Sequence, residues 1–258
     1  MLYFLAIFRF LGIIVTVCIA FIFSILFSKI LPVKIWARIV QLWAKMILFC
    51  SGIKIDKNNT PHSSFFKSNR MIIANHISWL DIPILYSIYW VGFVGRAEIK
   101  KWPIISTISK SGGTVFINRS NKRELVHINK TISEALANGK TVGLFPEGKT
   151  SDGKTILPFK SSLLEAAIIS NSTITLAVIK YYNRDGKFAQ EVSYSGNISL
   201  FQSVKSCLLL NGIRVKITIL PEISAINFKS RETLSNYLFE QVQHEYYKEN
   251  LNARTQSC

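Results

Sequence analysis

Apolar residues crowd the first fifty positions of the chain and afterwards break into short runs separated by polar turns. Between Arg9 and Lys29 lie 19 positions without a charge, dominated by Leu, Ile, Val and Phe. As a helix at about 1.5 Å per residue this stretch reaches roughly 28 Å, close to the hydrocarbon thickness of a bilayer, and it predicts a membrane helix. A signal peptide is the obvious rival, but the run exceeds an ordinary signal core and no small-x-small site follows it before Lys29. A buried core helix is the third reading. Lys34, Arg38, Gln41 and Lys45 then follow at spacings of four, three and four, one stripe of a helix, with Trp36, Ile39, Leu42, Trp43, Met46 and Ile47 on its other faces. With Pro32 suited to the first turn, the pattern predicts an amphipathic helix to about Phe49. It would lie in the headgroup layer with tryptophans down and cations toward anionic lipid. A surface helix on a soluble core is the alternative.

From Lys54 to Arg70 the composition turns polar, with Asn58, Asn59, Pro61, Ser63 and Ser64, and reads as a connection into a globular domain. Met71 to Ala74, Val91 to Val94, Thr114 to Ile117, Thr141 to Phe145, Ile174 to Ile179 and Val215 to Leu220 have the length and β-branched content of strands. Helical patterns interleave with them. In one, Asn121 and Glu124 form a possible capping box, Leu125, Ile128, Ile132, Ala135 and Leu136 share a face, and Gly139 is the stop. A last helix is expected from about Arg231 to Glu249. Alternation of this kind predicts an α/β domain over residues 53–258 behind a membrane element over residues 1–52.

Charge sharpens the picture. Thirty-one Lys and Arg face 15 Asp and Glu, a net +16, so a strongly acidic partner surface is expected. No acidic residue precedes Asp56, and that bias fits a domain held on the cytoplasmic face of a membrane. A nucleic-acid binder would explain the charge but not the 19-residue apolar run. Cysteines at 18, 50, 207 and 258 have no ligand or framework spacing, and no residue cluster argues for a metal.

Three segments can carry chemistry. Asn75-His76-Ile77-Ser78-Trp79-Leu80-Asp81 follows the first predicted strand, and five positions is about 140° of helical rotation, so the pair would not stack inside one straight helix. With His76 in the turn and Asp81 in the next helix, the carboxylate reaches back to fix the imidazole tautomer and stabilise the imidazolium formed when histidine takes a proton. A structural histidine near a helix cap is the plainer reading. In Gly112 to Arg119 a strand delivers Arg119 to its carboxyl end, where open α/β sheets bind ligands and guanidinium suits phosphate. A surface arginine is the duller one. Gly143 to Thr150 matches the P-loop pattern letter for letter. That match is rejected, because Pro146 lacks the N–H a phosphate nest requires, Glu147 would sit inside it, and Asp152, Gly153 and Pro158 break the helix that should follow. What remains is a strand-end turn presenting a carboxylate beside a glycine.

Together these segments resemble the PlsC-type glycerolipid acyltransferases, the family of 1-acylglycerol-3-phosphate acyltransferases. Asn75-His76 with Asp81 is similar to the family's NHxxxxD block, Phe116 to Arg119 to its second block and Phe145 to Gly148 to its third, in order over residues 71 to 165. The resemblance implies a central mixed sheet flanked by helices and transfer of a fatty acyl chain from a thioester to the hydroxyl of lysophosphatidic acid. It implies His76 as general base, Asp81 as its orienting partner, and Arg119, Glu147, Gly148 and Lys149 along the acceptor site, with Arg96 at the phosphate. It also implies acyl carrier protein or coenzyme A thioester as co-substrate, a lysolipid acceptor and no bound cofactor. Where the family continues Thr-Arg-Ser, this chain has Lys149-Thr150-Ser151, and Ser151-Asp152-Gly153 is similar to relatives that acylate lyso-ornithine lipids. The fourth block has Leu176-Ala177-Val178 without the usual proline.

Overall fold

The computed structural model describes residues 2–56, 64–117, 122–210 and 212–255 of the chain. Two helices come first, α1 (Leu2–Phe27) and α2 (Val33–Cys50). The remaining elements alternate as expected: β1 (Ile53–Asp56), β2 (Arg70–Ala74), α3 (Asp81–Ile88), β3 (Gly92–Arg96), α4 (Pro103–Ser111), β4 (Val115–Ile117), α5 (Lys122–Ala137) and β5 (Thr141–Leu144). They continue with α6 (Glu165–Ile169), β6 (Thr173–Tyr182), α7 (Leu200–Leu209), β7 (Ile213–Ile219), β8 (Ile223–Ser224) and α8 (Arg231–Thr255).

One mixed sheet carries the core in the order β1-β7-β6-β2-β5-β3-β4. Its pairs are parallel except that β7 and β8 run antiparallel to β6. Every residue of the central strand β2 is buried, as a strand covered on both faces must be, which is why Met71 to Ala74 reads as an unbroken apolar run. Outer strands are harder to read. β1 falls at the start of the segment expected to be a polar connection, because Ile53-Lys54-Ile55-Asp56 alternates like a half-buried edge strand and is too short to show a period. The helix predicted between the Asn121–Glu124 capping box and the Gly139 stop is present as α5 with Ile128, Ile132 and Leu136 buried, while Asn121 lies outside the described residues.

The headgroup-layer orientation expected for α2 is corrected. Trp36 is buried, donating from Nε1 to the carbonyl of Ser111 at 2.8 Å, and it shares the core with Val40, Ala44 and Leu48. Trp43 packs against the same core. The stripe expected to face lipid is partly turned onto the domain, with Arg38 over the ring of Phe65 at 4.5 Å and Gln41 donating to Ser87 O at 3.0 Å. Ile35, Leu42, Met46 and Phe49 face outward instead. Amphipathic spacing shows that a helix has an apolar face, and burying it against protein removes the same area from water as burying it in lipid, about 1.5–3 kcal/mol for each large side chain.

α1 is long and apolar enough to cross a membrane, with few of its residues buried. It lies along α2, α4 and α7. Arg9 donates to the carbonyls of Leu208 and Leu210 at the end of α7, Phe10 meets the ring of Phe201 edge-on, and Ser24 bonds Ser111 at the end of α4. Phe4, Phe8, Leu11, Val15, Ile22 and Leu26 form an exposed apolar stripe on its other side.

Candidate active site

The site forms where β2 and β5 end. As β2 leaves the sheet, the Asn75 side chain substitutes for backbone, donating to Ile179 O at 2.9 Å and accepting from Ile179 N at 2.7 Å. That bond extends the β2–β6 ladder past its last strand residue and holds the next residue, His76, at the sheet's carboxyl edge. Asp81 is the first residue of α3, as the spacing required, and it is wholly buried. Its Oδ2 lies 2.8 Å from His76 Nδ1 and accepts from the N–H groups of Ile77 and Ser78 at 2.8 and 2.9 Å. The carboxylate thus occupies Nδ1 and leaves Nε2 as the nitrogen available to a substrate.

A ladder of rings supports the imidazole from the other side. His76 stacks on Phe145 with centroids 4.0 Å apart, Phe145 lies parallel to Phe93 at 5.7 Å, and Tyr86 meets Phe93 edge-on at 5.1 Å. Gly143 makes room for this ladder, since a Cβ there would stand 2.8 Å from both Phe93 ring carbons and from Val91. Gly143→Ala is therefore expected to destabilise the chain by about 1–3 kcal/mol, and a thermal melt in detergent checks it. A melt that does not move would mean the rings shift without cost.

Glu147 is placed differently from the expectation that it lines the acceptor site. Only 2% exposed, it turns inward and accepts from the N–H of His76 at 2.7 Å and of Leu157 at 3.1 Å. It fastens the histidine turn to the segment that follows the third motif, behind the imidazole. Burial raises its carboxyl to about 7, the two N–H bonds pull the other way, and nearby Asp81 adds a smaller upward push. Gly148 completes the turn at φ +75°, a conformation that suits glycine, and no helix follows it, so the P-loop match is excluded by geometry as well.

The remaining expected residues divide cleanly. Arg96, Gly148 and Lys149 line one cavity with His76, and Arg96 donates to the carbonyl of Gly148 at 3.0 Å. Arg119 lies outside the described residues. The cavity holds about 850 Å³ and is walled mostly by apolar groups of α1, α2 and α4, among them Ile19, Phe23, Ile39, Trp43 and Ile105. Its polar lining includes His76, Arg96, Glu98, Lys149 and Thr150, together with Thr16 and Ser24 of α1. Sequence reasoning missed Tyr194, which lines the cavity, and the clamp that holds it: Tyr194 N donates to Ile77 O at 2.9 Å, and Thr150 Oγ1 donates to Tyr194 O. Those contacts join segments more than forty residues apart, and no local pattern signals them.

Chemically, the arrangement is a histidine with a buried carboxylate behind it and a long apolar cavity in front. It suits proton removal from a hydroxyl on an amphiphilic molecule.

Comparisons with known proteins speak to the family and the fold. Residues 53–180 match the family model described as Acyltransferase. A 1-acyl-sn-glycerol-3-phosphate acyltransferase of Neisseria gonorrhoeae is 31% identical over 172 residues, covering 67% of each chain. A lyso-ornithine lipid O-acyltransferase of Rhizobium meliloti is 43% identical over a shorter 126 residues, 48% of this chain and 42% of that one. The crystal structure of the 1-acyl-sn-glycerophosphate acyltransferase PlsC from Thermotoga maritima superposes with a TM-score of 0.70 over 96% of this chain and 95% of that one. At 18% identity that likeness speaks for the fold.

Proposed function

This chain belongs to the PlsC-type acyltransferase family and is an acyltransferase of lipid biosynthesis, and from that premise we propose that it esterifies the free hydroxyl of lysophosphatidic acid, giving phosphatidic acid. The observation that carries the reading is the His76–Asp81 pair at a largely apolar cavity whose lining also includes Arg96 and Lys149. Nε2 of His76 takes the hydroxyl proton as the oxygen attacks the thioester carbonyl. The tetrahedral intermediate then collapses, the carbon–sulfur bond breaks, and the imidazolium returns its proton to the leaving thiolate. Asp81 holds the imidazole through this cycle and offsets the charge it carries midway. Glu147 acts one step back, by fixing the backbone N–H of His76.

Arg96 and Lys149 against the single carboxylate of Glu98 leave the charged lining net positive, which suits a phosphate monoester better than a head group bearing its own ammonium. Acylation of a lyso-ornithine lipid is the second reading, favoured by the 43% identity to that relative and by the Lys149-Thr150 departure. The thioester donor is acyl carrier protein or coenzyme A, both acidic and so drawn to a chain of charge +16. The apolar stripe of α1 and the outward Ile35 and Phe49 of α2 seat the enzyme on the membrane at the cytoplasmic face, where a chain of charge +16 meets anionic lipid. The outward stripe of α1, with its opposite face laid along α4 and α7, supports a helix lying at the bilayer beside the cavity.

Acyl transfer by the detergent-purified protein, with acyl thioester and either acceptor, tests the reading. Lysophosphatidic acid is the expected acceptor, and product from lyso-ornithine lipid alone would replace it. Lys149→Ala should raise KM for lysophosphatidic acid about fivefold with kcat little changed, equivalent to roughly 1 kcal/mol for an exposed charge pair, and high salt should shrink the difference. An unchanged KM would remove Lys149 from the head-group site.

A further inference from the structure

We propose that Tyr181 is a positioning residue for the proton-transfer pair, holding the Asp81 carboxylate in the orientation that the base needs. The inference rests on the reading of His76 as base. Asp81 Oδ2 is crowded with three donors, the His76 ring and the N–H groups of Ile77 and Ser78. Oδ1 takes the hydroxyl of Tyr181, which reaches it from β6, one hundred residues away in sequence. Both side chains are fully buried, so no solvent can replace that bond. If the hydroxyl is removed, Oδ1 becomes an unpaired carboxylate oxygen inside the protein. The group is then held through Oδ2 alone, and its charge is no longer shared with a donor on the far oxygen.

Tyr181 is placed to do little else. It does not line the cavity, and its hydroxyl is held far above the ordinary tyrosine range by burial first and by Asp81 second, so it remains a donor at every working pH. Other titratable groups around the pair are Glu147 and Tyr246 on the Asp81 side and Arg96, Glu98, Lys149 and Tyr194 in the cavity with His76, while Cys207 on α7 faces Tyr181 itself. Burial raises both Cys207 and Tyr246, which keeps them neutral near pH 7. Among these groups the tyrosine is the one whose proton lies on the carboxylate that orients the base.

Tyr181→Phe keeps the ring and removes the hydroxyl. It should lower kcat about tenfold near pH 7, leave KM for both substrates within twofold, and move the acid limb of the kcat–pH profile upward by about 0.5–1 pH unit, as expected when roughly 1 kcal/mol of hydrogen bonding is withdrawn from the carboxylate. Val178→Ala, a cavity elsewhere on the same strand, should lower the melting temperature without moving that limb. An unmoved limb in Tyr181→Phe, with His76→Ala inactive alongside, would overturn the role of the tyrosine alone. Turnover retained by His76→Ala would overturn both the base and the residue proposed to act through it.

Discussion

His76→Ala is expected to lower acyl transfer by about a thousandfold, within the 10²–10⁴ range of a positioned general base, while the protein still binds lysolipid. Nε2 is the nitrogen left free by the Asp81 bond, and among the described residues no other titratable group lining the cavity stands in the same relation to a buried carboxylate. Loss of the ring also removes the partner of Phe145 and leaves Asp81 Oδ2 with its two backbone donors, so some destabilisation accompanies the change. The kinetics separate the two effects. Removal of a group that acts in the transition state reduces kcat and kcat/KM together, whereas a loosened cavity raises KM. Labelled acyl thioester with lysophosphatidic acid, followed as lipid product, gives both numbers. Retention of more than a tenth of the wild-type kcat would remove His76 as the base.

The second large effect is at Glu147. Its carboxyl is raised from 4.5 to about 7. Between those two values the folded chain holds a proton that the unfolded chain has released, so stability contributed by this group falls as pH rises through the window. Over the whole window the change is on the order of 3 kcal/mol, since each unit is worth about 1.4 kcal/mol. Glu147→Gln has no charge to bury and should flatten this part of the pH dependence of the melting temperature. The amide can accept at one position but offers N–H to the other, so either His76 or Leu157 loses its acceptor, at about 1–3 kcal/mol. The loosened turn should cost ten- to a hundredfold in kcat, because a reacting group misplaced by about 1 Å loses that much. A variant that melts with the wild-type pH dependence would show that Glu147 is not the group titrating there.

Much of the site was legible because its residues are local. His76 and Asp81 lie five apart across a strand-to-helix turn, and that geometry could be worked out from helical rotation alone. The same holds for the rejected P-loop, where one proline and one carboxylate are incompatible with an anion nest whatever surrounds them. Glu147 shows where this stops. Its place in the motif was visible, but a carboxylate beside a glycine can point either into a cleft or back into the protein, and the N–H groups of His76 and Leu157 decide the direction.

By itself the sequence determined the alternation of elements, the buried central strands and the His76–Asp81 pairing, since each follows from backbone geometry and side-chain type over a few residues. Tertiary structure alone decided which apolar surface meets which. Periodicity marks Trp36 and Trp43 as lying on an apolar face without saying whether protein or lipid covers it, because both remove the same surface from water. It alone also brought Tyr181 to Asp81 and walled the cavity with α1 and α2, contacts between segments separated by tens to a hundred residues. No short-range pattern can encode such contacts, because the chain positions involved become neighbours only after the sheet has assembled.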